Sequence, residues 1–214
     1  MTISVLLCDD HTIIREGLRH LLECQPYISV CAEAANGREA VLKSIELEPD
    51  VLVLDIAMPE MNGLEAARQI RVACPKTRII ILSVYSTPEH IGHALLTGIH
   101  GYILKESAGS ELIEAIRAVH NRQTYFSRKI NMDEIRELLR TQEPLSPLAR
   151  LSRREREVLQ FVVEGLSSVA IAEKLGLSPK TVETYRSRLM GKLGLSDLPA
   201  LVKFALRHGV TQLD

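Results

Sequence analysis

The chain has 214 residues, of which 46% are hydrophobic and 25% charged, a composition typical of a soluble protein with one large or two small cores. This composition excludes a disordered chain. No apolar run approaches the ~18 residues of a membrane helix, and the N-terminus lacks a basic segment followed by a long apolar region. We therefore expect a cytoplasmic protein without a membrane partner.

The net charge of −1 conceals two halves of opposite sign. Residues 1–120 carry 10 Lys and Arg against 16 Asp and Glu, a net charge of −6, whereas residues 121–214 carry 16 against 11, a net charge of +5. An excess of basic residues indicates an anionic partner for the second half, although +5 alone is a weak indication of nucleic acid.

The four cysteines, Cys8, Cys24, Cys31 and Cys74, show neither CxxC nor CxxH spacing and lie among apolar residues. This pattern predicts four buried, reduced thiols.

In the first half, short apolar runs alternate with segments of helical periodicity. The runs are ISVLLC, ISVCAEA, VLVLD, RIIILSV and GYILK. In the segments between them, apolar residues recur every three or four positions, as at Leu64, Ala67 and Ile70. Five such strands alternating with five helices predict an α/β fold, with a doubly wound five-stranded parallel sheet covered on both faces.

Polar residues stand at the ends of these predicted strands. Asp9 and Asp10 follow the first strand, Asp55 ends the third, Ser83 lies late in the fourth and Lys105 closes the fifth. Each has an ordinary explanation when taken alone, such as a helix cap or a solvated amine. Because sites on such sheets gather at the carboxyl ends of the strands, their coincidence favours one shared site.

The chemistry of this set is coherent. Clustered carboxylates repel one another unless a cation neutralises them, and Mg²⁺ prefers such oxygen ligands. Asp55 would then be a nucleophile toward phosphorus, and Lys105 would offset charge on the transferring group. Ser83 would hydrogen-bond a phosphoryl oxygen.

The segments LLCDDH and VLVLDIAMPEMNGLE, with the residues at 83, 102 and 105, resemble the receiver domain of two-component response regulators. This CheY-like resemblance covers about residues 1–122 and implies that Asp55 is the phosphoacceptor for a sensor histidine kinase. It also implies that Mg²⁺ or Mn²⁺ is bound by Asp10, Asp55 and the backbone carbonyl of Ala57, with Asp9 contributing through water.

The same resemblance implies that Ser83 and Lys105 bind the phosphoryl group and that Tyr102 is a rotameric switch. For Tyr102, an aromatic ring simply packed at a strand end is an equal alternative. The sequence departs from the family pattern at Glu106, where a proline after a cis bond is usual. Since a cis bond without proline costs about 2.5–4 kcal/mol, we hypothesise that local structure enforces cis geometry at Lys105–Glu106.

The periodicity weakens over residues 123–146, which we predict to be a linker. Pro144 and Pro147 separate a short predicted helix, about Met132 to Arg140, from the rest of the second half.

Residues 147–214 are predicted to form a small all-α domain. A capping box, Ser152 with Glu155, opens one helix, and a second, short helix ends at Gly176. Ser178 caps the next helix, with a proline at its first position. A last helix is expected from about residue 199 to 208. Two helices joined by GLS form a helix-turn-helix, whose second member could lie in a DNA major groove.

The segments LSRREREVLQ and SPKTVETYRSRLMGKLGL resemble the LuxR/FixJ/NarL-type DNA-binding domain. Helical periodicity places six polar residues on the outward face of the second helix: Lys180, Glu183, Thr184, Ser187, Arg188 and Lys192. By the resemblance, Lys180 and Arg188 are candidate phosphate contacts, and Glu183, Thr184 and Ser187 are candidate base readers. The alternative is an ordinary solvated face.

The two resemblances together imply a response regulator whose phosphorylation shifts dimerisation and domain arrangement and so controls DNA binding and transcription. Its expected partners are a sensor histidine kinase, double-stranded DNA and a second copy of the chain, and RNA polymerase is a further candidate. Two alternatives stay open. The first is an aspartyl-phosphate hydrolase, but such an enzyme usually has a second acid where this chain has Ala57, so we expect a protein that is not an enzyme. The second is a phosphorylation-blind transcription factor, but such a protein would have lost the acidic site that this chain keeps.

Overall fold

The computed structural model describes residues 2–140 and 147–211 of the chain. They fall into two compact units that divide between residues 141 and 142. The end of the predicted linker, including Pro144, and the last three residues of the predicted second domain lie outside the described residues.

The described part of the first unit contains six strands and six α-helices. The strands are β1 (Ile3–Cys8), β2 (Ile28–Ala34), β3 (Val51–Asp55), β4 (Arg78–Ser83), β5 (Gly101–Leu104) and β6 (Tyr125–Phe126). The helices are α1 (Thr12–Glu23), α2 (Gly37–Leu47), α3 (Gly63–Ala73), α4 (Pro88–Leu96), α5 (Ala108–His120) and α6 (Met132–Arg140).

The strands form one parallel sheet in the order β2-β1-β3-β4-β5-β6. Alternate residues of each strand point to opposite faces, as the strand geometry requires. One face packs with residues of α2, α3 and α4, and the other with residues of α1 and α5. The doubly wound α/β prediction is confirmed, but the expected number of five strands is wrong because β6 pairs with β5. A strand of two residues carries too short a pattern to be recognised in the sequence.

The predicted linker contributes to the first unit as far as α6. This helix packs against α4, and its Ile135 is only 1% exposed within the same core as β3 and β4. Ile130, Met132 and Leu139 pack beside it. The apolar face of α6 therefore makes it part of the receiver-like unit, whereas the sequence indicated only a short helix within a connector.

The loop after β3 lies against the strand because two glycines permit it. A Cβ atom at Gly63 would stand 1.9 Å from the carbonyl oxygen of Asp55, and one at Gly37 would stand 2.4 Å from the carbonyl oxygen of Met61. The Asn62 side chain accepts the Glu65 backbone N–H at 3.0 Å and begins α3. These contacts fix the loop that carries residues 56–62 past the strand end.

The second unit is helical in its described residues. Its helices are α7 (Arg153–Val163), α8 (Ser168–Leu175), α9 (Pro179–Leu193) and α10 (Leu198–Arg207), preceded by a 3₁₀ turn at Pro147–Arg150. The predicted capping box of Ser152 and Glu155 is confirmed, as are the helix end at Gly176, where the backbone is left-handed, and the Ser178 cap. The last helix begins before the expected proline because Asp197 accepts the Ala200 N–H at 2.8 Å.

The cysteine prediction is half right. Cys8 and Cys74 are buried, but Cys24 and Cys31 are exposed, and all four are free thiols. Cys24 follows the end of α1 and Cys31 lies on the edge strand β2, positions that the surrounding apolar residues did not reveal. Among the described residues, no helix is long and apolar enough to cross a membrane.

His100 predicts a pH dependence of the stability. Its Nδ1 accepts the Ile79 N–H at 3.0 Å at the start of β4 and β5, and burial, together with Arg78 and Arg71, lowers its pKa to about 4. Between pH 4 and the ordinary value of 6.5 the unfolded chain therefore binds more protons than the folded one. Stability from this group is present above pH 6.5 and is lost as the pH falls toward 4, by about 1–2 kcal/mol after allowance for solvent screening.

The control is His100→Asn, whose Oδ1 can accept the same N–H without titrating. Urea unfolding at pH 7 and pH 4.5 should show a larger loss of stability in the wild type than in this variant. Equal losses would contradict the assignment.

Candidate functional site

The parallel strand order brings four of the predicted residues together at one edge of the sheet. Asp9 and Asp10 follow β1, Asp55 ends β3 and Lys105 follows β5. Lys105 Nζ lies 2.7 Å from Asp55 Oδ2 and 2.8 Å from Asp9 Oδ2. One oxygen from each of the three acids lies within 4.8 Å of the others. Four of the five residues at the predicted strand ends therefore lie together, and the place of Ser83 in the same site stays a prediction.

Asp55 is held firmly and is nearly inaccessible, at 3% exposure. Its Oδ1 accepts the Ile56 backbone N–H at 2.7 Å and its Oδ2 accepts from Lys105. Burial raises the pKa of Asp55 to about 6; the Asp9 charge adds to this rise, and Lys105 opposes it. The carboxylate form is therefore less favoured at this edge than in water, and added positive charge would favour it.

Asp9 is fixed through both its side chain and its backbone. Asp9 Oδ1 accepts the His11 N–H at 2.9 Å, and Arg15 donates from Nη1 to the Asp9 carbonyl oxygen at 2.7 Å. Arg15 is itself held by Glu33, 2.9 Å from its Nε. These contacts orient the Asp9 carboxylate toward Lys105.

Lys105 is charged in this setting. Burial lowers its pKa, but the charges of Asp55 and Asp9 and their hydrogen bonds outweigh burial, so that the net shift is upward. Its ammonium group therefore balances one of three carboxylates.

The remaining oxygen atoms fit a divalent cation. Asp9 Oδ2 and Asp10 Oδ1 are buried. The first lies 2.8 Å from Lys105 Nζ and the second 2.8 Å from His11 Nδ1, so each oxygen keeps a lone pair for a further ligand. Three carboxylates and one ammonium carry a formal charge of −2, which one divalent ion would neutralise. Oxygen donors of this kind suit Mg²⁺ or Mn²⁺.

His11 is a member of this cluster that the sequence reasoning missed. Its Nδ1 lies 3.2 Å from Asp9 Oδ1 and 2.8 Å from Asp10 Oδ1, so the imidazole faces the same space. The run DDH was the available signal, because a residue directly after an acidic pair shares its strand end. The backbone carbonyl assigned to Ala57 stays a prediction.

Ser83 and Tyr102 meet at Tyr85. The Ser83 hydroxyl oxygen accepts the Tyr85 N–H at 3.1 Å, and the Tyr102 hydroxyl donates to the Tyr85 carbonyl oxygen at 2.7 Å. The Tyr102 side chain is fully buried, and burial raises its pKa far above the usual value. The ring of Tyr85 stacks on His90 of α4, with 4.4 Å between ring centroids. The packed ring expected for Tyr102 is present, and its switching role stays a prediction.

The hypothesis of a cis bond at Lys105–Glu106 is wrong, because this bond is trans. Lys105–Ser107 instead forms a short 3₁₀ turn that leads into α5. Without proline, the trans form is favoured by about 2.5–4 kcal/mol. The 3₁₀ turn places the lysine without a cis bond.

The second unit presents the predicted outward face on α9. Val182 and Leu189 are buried in the helical core, while all six predicted contact residues are exposed. Five of them lie on one side of the helix: Lys180, Glu183, Thr184, Ser187 and Arg188. The α8–α9 pair and the turn through Gly176 form the expected helix-turn-helix.

Glu183 also has a role within the unit. The Ser168 hydroxyl donates to Glu183, and Arg186 donates to the Ser168 oxygen at 2.9 Å. Arg186 Nη1 lies 3.6 Å from Glu183 Oε1. These three side chains join α8 to α9, so Glu183 has intramolecular partners that a base contact would have to share.

Lys192 forms an ion pair with α7 and does not share the face of α9 that carries the other five predicted residues. Its Nζ lies 2.6 Å from Oε2 of Glu155, the buried carboxylate of the capping box in α7. Burial raises the pKa of Glu155, but the hydrogen bonds from Lys192 and Ser152 lower it by more than burial raises it, so the net shift is downward. Lys192 therefore joins α9 to α7, a contact that separates its role from that of the other five residues.

Both halves match known families. Residues 5–117 match the family described as the response regulator receiver domain, and residues 149–205 match the bacterial regulatory proteins of the luxR family.

Whole-length relatives agree with this assignment. The chain is 38% identical over 210 residues to the oxygen regulatory protein NreC of Staphylococcus aureus, covering 95% of this chain and 97% of NreC. A LuxR-family two-component response regulator from Aurantimonas sp. SI85-9A1 is 37% identical, with a TM-score of 0.61, over 65% of this chain and 99% of its own.

A third similar structure is RcsB from Salmonella enterica serovar Typhimurium, bound to promoter P1flhDC in the presence of the phosphomimetic BeF3⁻. It is 27% identical, with a TM-score of 0.61, and the match covers 99% of this chain and all of RcsB. The strand-end acids, the helix-turn-helix and these matches agree: the chain belongs to the two-component response regulators of the NarL/FixJ/LuxR type, with a receiver domain followed by a LuxR-type DNA-binding domain.

Proposed function

We propose that Asp55 accepts a phosphoryl group from a sensor histidine kinase and that this modification controls DNA binding by the second unit. The observation that supports it most is the Lys105 ammonium group, which lies within 2.8 Å of both the Asp55 and Asp9 carboxylates at the carboxyl edge of the sheet. Buried charges placed so closely are costly to keep without chemistry that uses them.

In the proposed reaction, a carboxylate oxygen of Asp55 attacks phosphorus. A P–O bond forms to Asp55, and the bond from phosphorus to the donor nitrogen of the kinase histidine breaks, with its electron pair returning to the imidazole. Lys105 and the Ser83 hydroxyl would then bind phosphoryl oxygens. Asp9, Asp10, Asp55 and the Ala57 carbonyl would hold Mg²⁺ or Mn²⁺, which would supply positive charge to the transferring group.

The chain's own contacts suggest how the modification would be sensed. A phosphoryl group adds about −1.5 to −2 charges at pH 7, and Lys105 and Ser83 already have partners. A phosphoryl oxygen would compete with Asp55 for Lys105 and would draw on Ser83, which holds the Tyr85 N–H. Tyr102 and α4 both contact Tyr85, so its movement would alter that face of the unit.

The output would be transcriptional control through the exposed face of α9. We propose that Lys180 and Arg188 contact phosphates and that Glu183, Thr184 and Ser187 read bases, in the major groove of double-stranded DNA. Phosphorylation would favour a homodimer that binds two half-sites, acting in the cytoplasm where the DNA is, with RNA polymerase as a further partner. This family is generally not enzymatic, and we expect no turnover of small substrates beyond the chain's own phosphotransfer and dephosphorylation.

The phosphoacceptor is tested with acetyl phosphate and Mg²⁺. Wild type and Asp133→Asn, which changes an exposed acid of α6, should both gain one phosphoryl group by intact-protein mass spectrometry. Asp55→Asn should gain none because it lacks the nucleophile. Labelling of this variant at the wild-type rate would exclude Asp55.

The cation site is tested by binding and stability. At a Mg²⁺ concentration of a hundred times Kd, the wild type should gain about 2–3 kcal/mol in free energy of unfolding, as measured by urea denaturation with parallel calorimetry. Asp10→Asn should lose most of this gain, and Asp133→Asn should keep it. If Asp10→Asn were stabilised like the wild type, the cation would bind elsewhere.

The DNA face is tested by fluorescence anisotropy at several salt concentrations. Lys180→Ala and Arg188→Ala should each weaken binding roughly three- to tenfold on any sequence and reduce the salt slope by about 1, because each removes a phosphate contact. Lys203→Ala removes one positive charge from α10, away from α9, and should change neither the affinity for DNA nor the salt slope. Equal effects of all three would indicate attraction by net charge alone.

A further inference from the structure

Ser127 lies just after β6, in the stretch that the sequence assigned to a linker and outside the matched receiver family. It is only 1% exposed. Three of its atoms have partners within the first unit. Its N–H donates to the Tyr102 carbonyl oxygen at 2.9 Å, its hydroxyl oxygen accepts the Leu104 N–H at 3.1 Å, and its carbonyl oxygen accepts the Ile130 N–H at 2.8 Å.

The geometry explains why a hydroxyl is needed there. In a parallel ladder that continued past Phe126, the Leu104 N–H would donate to the carbonyl oxygen of Ser127. The chain instead turns toward α6, and that carbonyl is used by Ile130. The Ser127 hydroxyl replaces it and satisfies an amide that is buried within the sheet. An alanine would leave this N–H without an acceptor, which is costly for a buried group.

Leu104 is the residue directly before Lys105. The position of the Lys105 backbone, and so the reach of its ammonium group to Asp9 and Asp55, depends on where β5 ends. The Ser127 carbonyl also accepts the Ile130 N–H and so begins the turn that leads into α6, whose Ile135 lies in the core. One residue thus contacts both the strand that carries the site lysine and the segment that precedes the second unit.

We propose that Ser127 is a positioning residue of the phosphoacceptor site: it acts through Leu104 on Lys105 and couples the state of the site to α6. This inference rests on the proposed phosphorylation of Asp55. It assigns a role in the receiver's chemistry to a residue that belongs to neither matched family segment.

The test measures the rate of phosphorylation by acetyl phosphate over a range of donor concentrations. Ser127→Ala should lower the maximal rate about three- to tenfold with little change in the half-saturating concentration, because Lys105 is misplaced while donor access is intact. Ser127→Thr, which keeps the hydroxyl, should recover most of the rate. The control is Ser4→Ala, which removes a hydroxyl that accepts the Asp50 N–H at 2.9 Å at the opposite edge of the sheet and should behave as wild type.

A double-mutant cycle decides whether Ser127 acts through the lysine. In a Lys105→Ala background, Ser127→Ala should have little further effect, and the same factor in both backgrounds would overturn the proposal. Hydrogen exchange should be faster over residues 101–106 and 127–135 in Ser127→Ala. If the alanine variant does not fold, Ser127→Cys, which is a weaker acceptor of similar size, is judged by the same outcomes.

The two possible failures are distinguishable. A wild type that takes no phosphoryl group, or that takes it without Asp55, contradicts the proposed function. A wild type that is labelled on Asp55 while folded Ser127→Ala is labelled at the same rate contradicts only the role of Ser127.

Discussion

One ammonium group holds two buried carboxylates at the carboxyl edge of this sheet, and the arrangement of the site follows from it. Because β4 separates β3 from β5, two strand spacings, or about 10 Å, lie between the backbones that carry Asp55 and Lys105, a gap that the long lysine stem spans. The charges are only partly balanced, because one ammonium faces three acids. The site is therefore held together and yet keeps an excess of negative charge, which suits the proposed cation and, with it, the proposed phosphoryl group.

The surrounding backbone keeps these groups in place before any ligand arrives. Arg15 holds the Asp9 carbonyl, and the loop after β3 lies against the strand only because Gly63 has no Cβ. Any side chain at position 63 would push the loop away from the carbonyl of Asp55. Preorganisation of this kind would spare the proposed phosphotransfer the cost of ordering charged groups. It also explains why a trans bond after Lys105 suffices, since the 3₁₀ turn and the strand end already position the lysine.

Most of this unit and its acidic site could be predicted because the information is local. Near-continuous apolar runs identify the strands, and a charged residue at the end of such a run, as at Asp55, locates the edge where a site forms. The parts that were missed depend on contacts between residues far apart in the chain. The two-residue β6 exists only because the edge of β5 is open, α6 joins the core through Ile135, and Lys192 meets Glu155 across 37 positions. No pattern within a single segment contains these pairings.

Two continuous connections run from the site of the first unit to α6. The first runs through hydrogen bonds and stacking from Ser83 to Tyr85, then to His90 on α4, against which α6 packs. The second runs along the backbone of β5 to Ser127. Closely packed cores shift between discrete arrangements rather than deform smoothly. A charge added at Asp55 would disturb the start of both connections at once, because Lys105 and Ser83 are the groups that would bind it. Helix α6, which the sequence pattern places in a connector, is thus the element on which both connections meet, and its packing is the property that the proposed phosphorylation would change.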